Sequence, residues 1–331
     1  MRRIAVVINA RSGGLIGRER AAEEVAERLE AAGLDAVIIH ESEEPDLLAR
    51  LDRAMAAGAD AVIVGGGDGS IAAAAQRLAG TETALGILPC GTMNLLAKDL
   101  RIPLDLDEAA ATLAGGEVRA IDVAEVNGHV FLCNSVIGLP AAIGRHRERH
   151  RGEGGIGARL RLALAALRTM LGYPPLRLAI AVEAEARPRT VYARALMVAN
   201  NAYAEGLGQL FTRTRLDRGE LVLYLAHRFG PWWAVRMLLA MALGAWRRSA
   251  DLDERAATGF TIASRRRVLR VMNDGEGVLL APPLRYAIRP RALKVIVPVE
   301  AVVEDEPETA PAPDAGRPDP RQAAPARAAR G

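Results

Sequence analysis

Short apolar runs alternate with amphipathic stretches along the first third of the chain. IAVVI (Ile4 to Ile8) is a compact β-rich run. RERAAEEVAERLEAAG follows, with Ala22, Val25, Ala26, Leu29 and Ala32 on one helical face and Gly33 ending it. DAVIIH predicts a second strand. PDLLARLDRAMAAG predicts a second helix with Pro45 in its first turn and Gly58 at its end. DAVIV is a third strand leading into a glycine-rich loop. IAAAAQRLAG is a helix, ALGIL a fourth strand, and PCGTMNLLAKDL another loop and helix. Strict alternation of strand and helix implies a parallel, doubly wound sheet, so the fold class is α/β.

Near Ala120 the texture changes. RAIDVAEVNGHVFLCNSVIG reads as two strands joined at Asn127-Gly128, a strong hairpin signal. LRLAIAVEAEA, VYARALMVAN, GELVLYLA, GFTIAS, RVLRVMNDGE and LRYAI read as further strands. Two helical stretches interrupt them, near residues 155–171 and 231–248. A last apolar run, ALKVIVP, is placed to return to the first domain. The pattern divides the chain into an α/β domain over 1–122, a β-rich domain with helical insertions over 123–290, and a last strand in 291–303. The segment 304–331 is Pro, Ala and charge without periodicity, a composition that predicts disorder.

Charge and composition remove some options. The net charge of +3 over 331 residues gives no whole-chain argument for nucleic acid, and an aromatic share of 4% leaves few side chains for bases to stack on; no nucleic-acid partner is expected. Basic clusters at Arg145 to Arg151, Arg247-Arg248 and Arg265 to Arg267 read either as solvated surface or as a patch for lipid headgroups or nucleotide phosphates. Cys90 and Cys133 show no metal-ligand spacing and are too few for a disulfide framework. PWWAVRMLLAMALGAWRR falls short of the roughly 20 residues that span a bilayer, and Arg236 interrupts it, so no transmembrane helix is predicted. With Trp232, Trp233 and Trp246 beside flanking arginines, it reads either as a core helix or as one lying in a membrane interface. ARLRLALAALRTML, with Arg159, Arg161 and Arg168 against a leucine face, carries the same two readings.

Four loops carry candidate chemistry. VIVGGGDGSIAAAA links a strand to a helix at the carboxyl edge of the sheet, where ligands bind. Gly65, Gly66, Gly67 and Gly69 let backbone amides approach a phosphate at a helix N-terminus. The loop lacks the lysine of a P-loop, and its loose G-x-G-x-x-A match follows the third strand rather than the first. Asp68 is the anomaly, because a carboxylate repels phosphate. It either meets a magnesium ion or caps its helix, a task open to Ser70 as well. Thr92 and Asn94 in GTMN, and Asn9, Ser12 and Gly13 in NARSGG, add polar groups at the same edge. NDGEGV, much later, offers Asp274 and Glu276 on one side of a tight turn, suited to taking a proton from an attacking hydroxyl.

In that order and spacing, GGGDGS, LPCGTMNLLAKDLRIP and NDGE resemble the diacylglycerol kinase catalytic-domain family, which includes bacterial lipid kinases, sphingosine kinases and ceramide kinases. The resemblance implies ATP-dependent, Mg²⁺-assisted phosphorylation of a lipid hydroxyl in a cleft between a nucleotide-binding α/β domain and a β-sandwich. It carries nucleotide contacts over to Asn9, Ser12, Gly13, Gly66, Gly67, Asp68, Gly69, Ser70, Thr92 and Asn94. It makes Asp274 the general base and Glu276 its partner. Ala10 stands where proline is usual. Arg218 replaces the aspartate that often helps hold a structural magnesium, leaving Asp217 beside Asp68 as the metal candidates. Since the chain lacks a Walker lysine, positive charge is expected from Mg²⁺ and, by position, from Arg18 or Arg20. NAD kinases and phosphofructokinases share a similar GGDG loop, so a soluble metabolite kinase of the NAD kinase type is the alternative. LAKDL and the late NDGE favour the lipid branch. The resemblance further implies a lipid partner at a membrane surface, a cytoplasmic and peripherally associated protein, and admits a homodimer.

Overall fold

A computed structural model of the protein describes residues 3–10, 12–13, 21–149, 156–183, 187–205, 212–227, 229–249 and 251–299. The tail from 304 onward, Arg18 and Arg20 lie outside the described residues.

The first half comprises β1 (Ile4–Ile8), α1 (Ala21–Ala31), β2 (Ala36–Ile39), α2 (Leu47–Ala56), β3 (Ala61–Gly66), α3 (Asp68–Leu78), β4 (Ala84–Pro89), α4 (Leu95–Asp99) and α5 (Leu106–Gly115). The four strands pair in parallel in the order β2-β1-β3-β4. β3 and β4 are buried along their whole length, which is why their runs are continuously apolar instead of alternating. α3 turns Ile71, Ala74, Ala75 and Leu78 inward, the i, i+3, i+4, i+7 stripe of a helix lying on a sheet. The Asp46 carboxylate caps α2 by accepting from the Leu48 amide at 3.3 Å, so Pro45 sits just before the helix and not in its first turn.

The second half contributes β5 (Glu117–Val126), β6 (His129–Phe131), β7 (Asn134–Gly138), α6 (Leu139–Arg149), α7 (Ile156–Gly172), β8 (Leu176–Val182), β9 (Arg189–Ala193), β10 (Ala195–Asn200), β11 (Leu221–Ala226), α8 (Pro231–Ala242), β12 (Leu252–Ala257), β13 (Gly259–Ser264), β14 (Leu269–Asn273), β15 (Glu276–Leu280) and β16 (Leu284–Val297). Asn127 and Gly128 turn between β5 and β6 with φ of 48° and 80°, the left-handed pair a two-residue hairpin needs. A six-stranded antiparallel sheet, β12-β11-β10-β7-β14-β15, packs against β5, β8, β9, β13 and the start of β16. Phe131, Leu178, Val198, Leu223, Phe260 and Val271 fill the space between the layers. The α/β domain joined to a β-sandwich-like domain with helical insertions is therefore the observed architecture.

Several details differ from the sequence reading: RAIDVAEVNGHVFLCNSVIG holds three strands rather than two, and α6 follows where no helix was expected. LRYAI and ALKVIVP are one strand: the second half of β16 lies beside β4, with Val295 opposite Leu85, while its first half pairs with β13. β5 pairs antiparallel along both halves of β16. The boundaries at 122 and 290 thus fall inside continuous strands, and one ten-stranded sheet runs through both halves. The run VYARALMVAN breaks at Arg194, so that β9 closes one sheet and β10 enters the other. Finally, α8 is not a core helix. Its one buried residue is Met241, which joins Tyr203, Tyr224 and Trp246 on the outer face of the six-stranded sheet. Among the described residues no helix is long and apolar enough to cross a membrane.

Candidate active site

Three loops meet at the carboxyl edge of the parallel strands, and their polar side chains mostly bind one another. Asn9 donates its side-chain amide to Ser70 Oγ at 2.8 Å, and Ser12 Oγ accepts from the Gly67 amide at 3.2 Å. Asn94, left-handed at φ 49°, folds its side chain back to accept from the Gly91 amide at 2.9 Å and to donate to the carbonyls of Gly91 and Pro89. Each such neutral bond is worth about 0.5–1.5 kcal/mol. Asn9, Ser12, Ser70 and Asn94 therefore shape the loops. Thr92 and Gly13 are the exposed pair, with a methyl on Gly13 reaching within 3.0 Å of Thr92 Oγ1.

Asp68 has a use that neither sequence reading foresaw. Its two carboxylate oxygens accept from the amides of Asn94 at 3.0 Å and Leu95 at 2.6 Å. It caps α4, the helix of the next loop, and not its own α3, whose N-terminus is closed by Gly67 without a side-chain cap. The negative charge is matched by amide dipoles of α4, which lessens its repulsion of an anion at the N-terminus of α3. The loops approach so closely that a methyl on Gly91 would lie 2.5 Å from Gly67 Cα. Gly91→Ala should force them apart and lower stability by about 1–3 kcal/mol in a urea melt. A melt unchanged from wild type would show the contact to be slack.

The fourth loop arrives from the sandwich. β14 and β15 are joined by Asp274 and Gly275 at φ of 49° and 89°, a left-handed two-residue turn. Glu276 lies against the glycine loop, since a methyl on Gly69 would fall 3.0 Å from its Oε1. Asp274 is buried, and its carboxylate accepts three backbone amides: Leu132 at 2.6 Å, Cys133 at 2.8 Å and Asn134 at 2.9 Å. Burial pushes the Asp274 carboxyl above the ordinary carboxylate range, against the pull of those amides and of the Arg213 charge. Asp68 and Asp274 both act electrostatically on the same buried thiol, Cys133. Through Glu276 and Gly69, the carboxylate hairpin thus lies against the glycine loop.

Sequence profiles settle the kinship of this arrangement. The diacylglycerol kinase catalytic domain matches residues 3–126, and the YegS C-terminal NAD kinase beta sandwich-like domain matches residues 136–297. Residues 3–126 carry a diacylglycerol kinase catalytic domain. A protein of Citrobacter koseri called a probable lipid kinase YegS-like is 41% identical over 100 residues, covering 29% of this chain and 33% of that one. A diacylglycerol kinase of Mycobacterium tuberculosis is 39% identical over 108 residues, covering 32% and 35%. The chain thus spans about a third of the length of these curated relatives. A structure from Bacillus anthracis str. Sterne shares the fold with a TM-score of 0.69 at 23% identity, covering 90% of this chain and 98% of that chain. Another from the same strain, named a diacylglycerol kinase, gives 0.63 at 22%, covering 90% and 98%.

Within this family frame, the Asp217 carboxylate, expected as a metal ligand, is engaged by arginines. Its carboxylate pairs with Arg215 at 3.0 Å and faces Arg291 at 3.7 Å. Burial would raise it, but the Arg215 hydrogen bond and the charges of Arg215, Arg119 and Arg291 hold it below the usual carboxylate range. Guanidinium groups thus stand where a cation would, and among the described residues no three acidic, His or Cys groups gather to hold a metal. The Asp68 oxygens already serve α4. The residues present do not fit a resident metal.

The sequence reading passed over several residues. Arg213, fully buried, pairs with Asp99 at 2.5 Å and donates to the carbonyls of Leu132 at 2.7 Å and Asn200 at 2.6 Å. It therefore ties α4 to the segment whose amides hold Asp274. Asp122, also fully buried, accepts from the amides of Arg291 at 2.8 Å and Gly219 at 2.6 Å and pins the irregular point of β16. Asp99 sits in the LAKDL run already quoted, whereas Arg213 hides in TRTRLDR, an arginine-rich stretch that reads as surface.

Proposed function

We propose that the protein is an ATP-dependent lipid kinase, transferring the γ-phosphate of MgATP to a lipid hydroxyl. The observation that carries the reading is the β14–β15 hairpin: it holds Asp274, a buried carboxylate with a raised pKa, and sets Glu276 against the glycine loop at the N-terminus of α3. The backbone of Gly66, Gly67 and Gly69, with Thr92 at the rim, is suited to the triphosphate. The acceptor hydroxyl, entering beside Glu276, gives its proton to Asp274. Its oxygen bonds to the γ-phosphorus as the bond to the β-phosphate oxygen breaks, and ADP leaves. Such a protein works at a membrane surface as a peripheral protein, because its acceptor lies in a bilayer.

The YegS C-terminal profile, by its own description, is like the sandwich of NAD kinases, which keeps a soluble acceptor in view. An acceptor panel separates the two. With labelled ATP and Mg²⁺, diacylglycerol, sphingosine and ceramide are offered in mixed micelles and NAD in solution. Label should enter the organic phase with one lipid. Transfer to NAD alone would replace the lipid reading.

A further inference from the structure

Two helices expose what most folds bury. No residue of α7 whose side chain is described is buried, and Leu164, Leu167 and Leu171, spaced i, i+3, i+7, are 45%, 41% and 66% exposed. On α8, which touches α7, Trp232 is 80% exposed, Leu238 53% and Leu239 59%, with Leu243 just beyond at 69%. A patch of this kind marks an interaction surface.

Charge selects its occupant. Neither helix contains an acidic residue, while Arg161, Arg168 and Arg236 lie on them. Arg236 is matched by Asp251 at 2.8 Å. At the foot of α7 a cavity of about 190 Å³ is lined by Arg145, Arg266, Arg270 and Tyr173 over Ile137, Leu176 and Leu269. A second copy docking through the same patch would bring like charges face to face. Tryptophan and leucine stripes flanked by arginine suit the boundary between lipid headgroups and acyl chains.

We propose that α7 and α8 form the face on which the protein sits on an anionic bilayer, their apolar stripes entering the interface and the arginines, those of the cavity included, meeting lipid phosphates. The inference rests on the lipid-kinase reading for its purpose, since it brings the candidate site to an acceptor held in a membrane. Its test reads binding alone. The full chain is sedimented with vesicles of phosphatidylcholine, with or without phosphatidylglycerol, and tryptophan emission is followed with brominated lipids. The wild type should bind the mixed vesicles more tightly than phosphatidylcholine alone, with emission shifted to the blue and quenched. Trp232→Glu with Leu239→Glu should weaken binding about tenfold or more. Arg266→Glu should weaken it on anionic vesicles only. Both variants alter exposed side chains, so their thermal melts should match the wild type. Should a melt shift, Trp232→Phe decides, because it should abolish most of the quenching. Equal binding by wild type and double variant, no vesicle binding at all, or a wild-type dimer that the double variant splits would each overturn the proposal. Absence of phosphate transfer in every protein, with vesicle binding lost only in the variants, would leave the docking face standing and remove the kinase reading.

Discussion

Asp274→Ala is expected to reduce phosphate transfer by a factor of about a hundred or more, measured with saturating ATP and acceptor. Alanine removes the proton acceptor and also leaves the amides of Leu132, Cys133 and Asn134 without their carboxylate, at a cost of about 1–3 kcal/mol in stability. Asp274→Asn separates the two effects. Asparagine tolerates the left-handed turn at φ 49° and keeps one oxygen for the amides, but cannot act as a base. The pH profile carries the sharper test. Burial raises the Asp274 pKa, so the ionised base is lost as pH falls through that raised value, and kcat/KM should fall with it. Asp274→Asn should lack this limb. A limb of the same shape in the variant would assign the titration to another group. The shift also bears on stability. The folded state holds this proton more tightly than the unfolded chain does. The group's contribution is therefore fully present below the unfolded pKa of about 3.9 and is lost as pH rises through the folded pKa.

Breaking the Arg213–Asp99 pair should produce the largest loss of stability, about 3–5 kcal/mol in a urea melt of Asp99→Asn or Arg213→Met. The two side chains are 0% and 4% exposed, so either substitution strands a charge or its hydrogen-bond partners in the interior. Arg213 also reaches Cys133 Sγ at 3.2 Å, in the same segment that offers its amides to Asp274. Either variant should therefore lower kcat as well as stability. The double variant should cost less than the sum of the singles, the signature of a direct pair. Single variants that melt within about 1 kcal/mol of wild type would show that the pair holds little together.

The fold class was legible because parallel strands covered on both faces are continuous apolar runs, and IAVVI, DAVIV and ALGIL are such runs. Where strands change sheets, local pattern is silent. Nothing in VYARALMVAN marks Arg194 as a corner, and nothing in LRYAIRPRALKVIV says that a strand continues through a proline and two arginines. The helix α6 was missed since LPAAIGRHRER is too dense in charge to show a period. The candidate site was readable as a set of loops, because glycine, asparagine and aspartate advertise turns. The task of each side chain was not. Asp68 accepts from the amides of Asn94 and Leu95, 26 and 27 residues later, and Asp274 finds its donors 140 or more residues earlier in the chain. Arg213 and Asp99 are 114 residues apart, and a buried ion pair leaves no local trace in either stretch.

The passage of β5 and β16 through both halves has a mechanical result. Clamshell enzymes open on a flexible strap, but here the strap is a hydrogen-bonded ribbon, flanked by β4 on one side of the crossing and β13 on the other. Prising the halves apart would tear ladder bonds, so the gap between glycine loop and carboxylate hairpin is fixed when the chain folds. The ladder is interrupted only between Arg289 and Leu293, and there the Asp122 carboxylate holds the Arg291 amide.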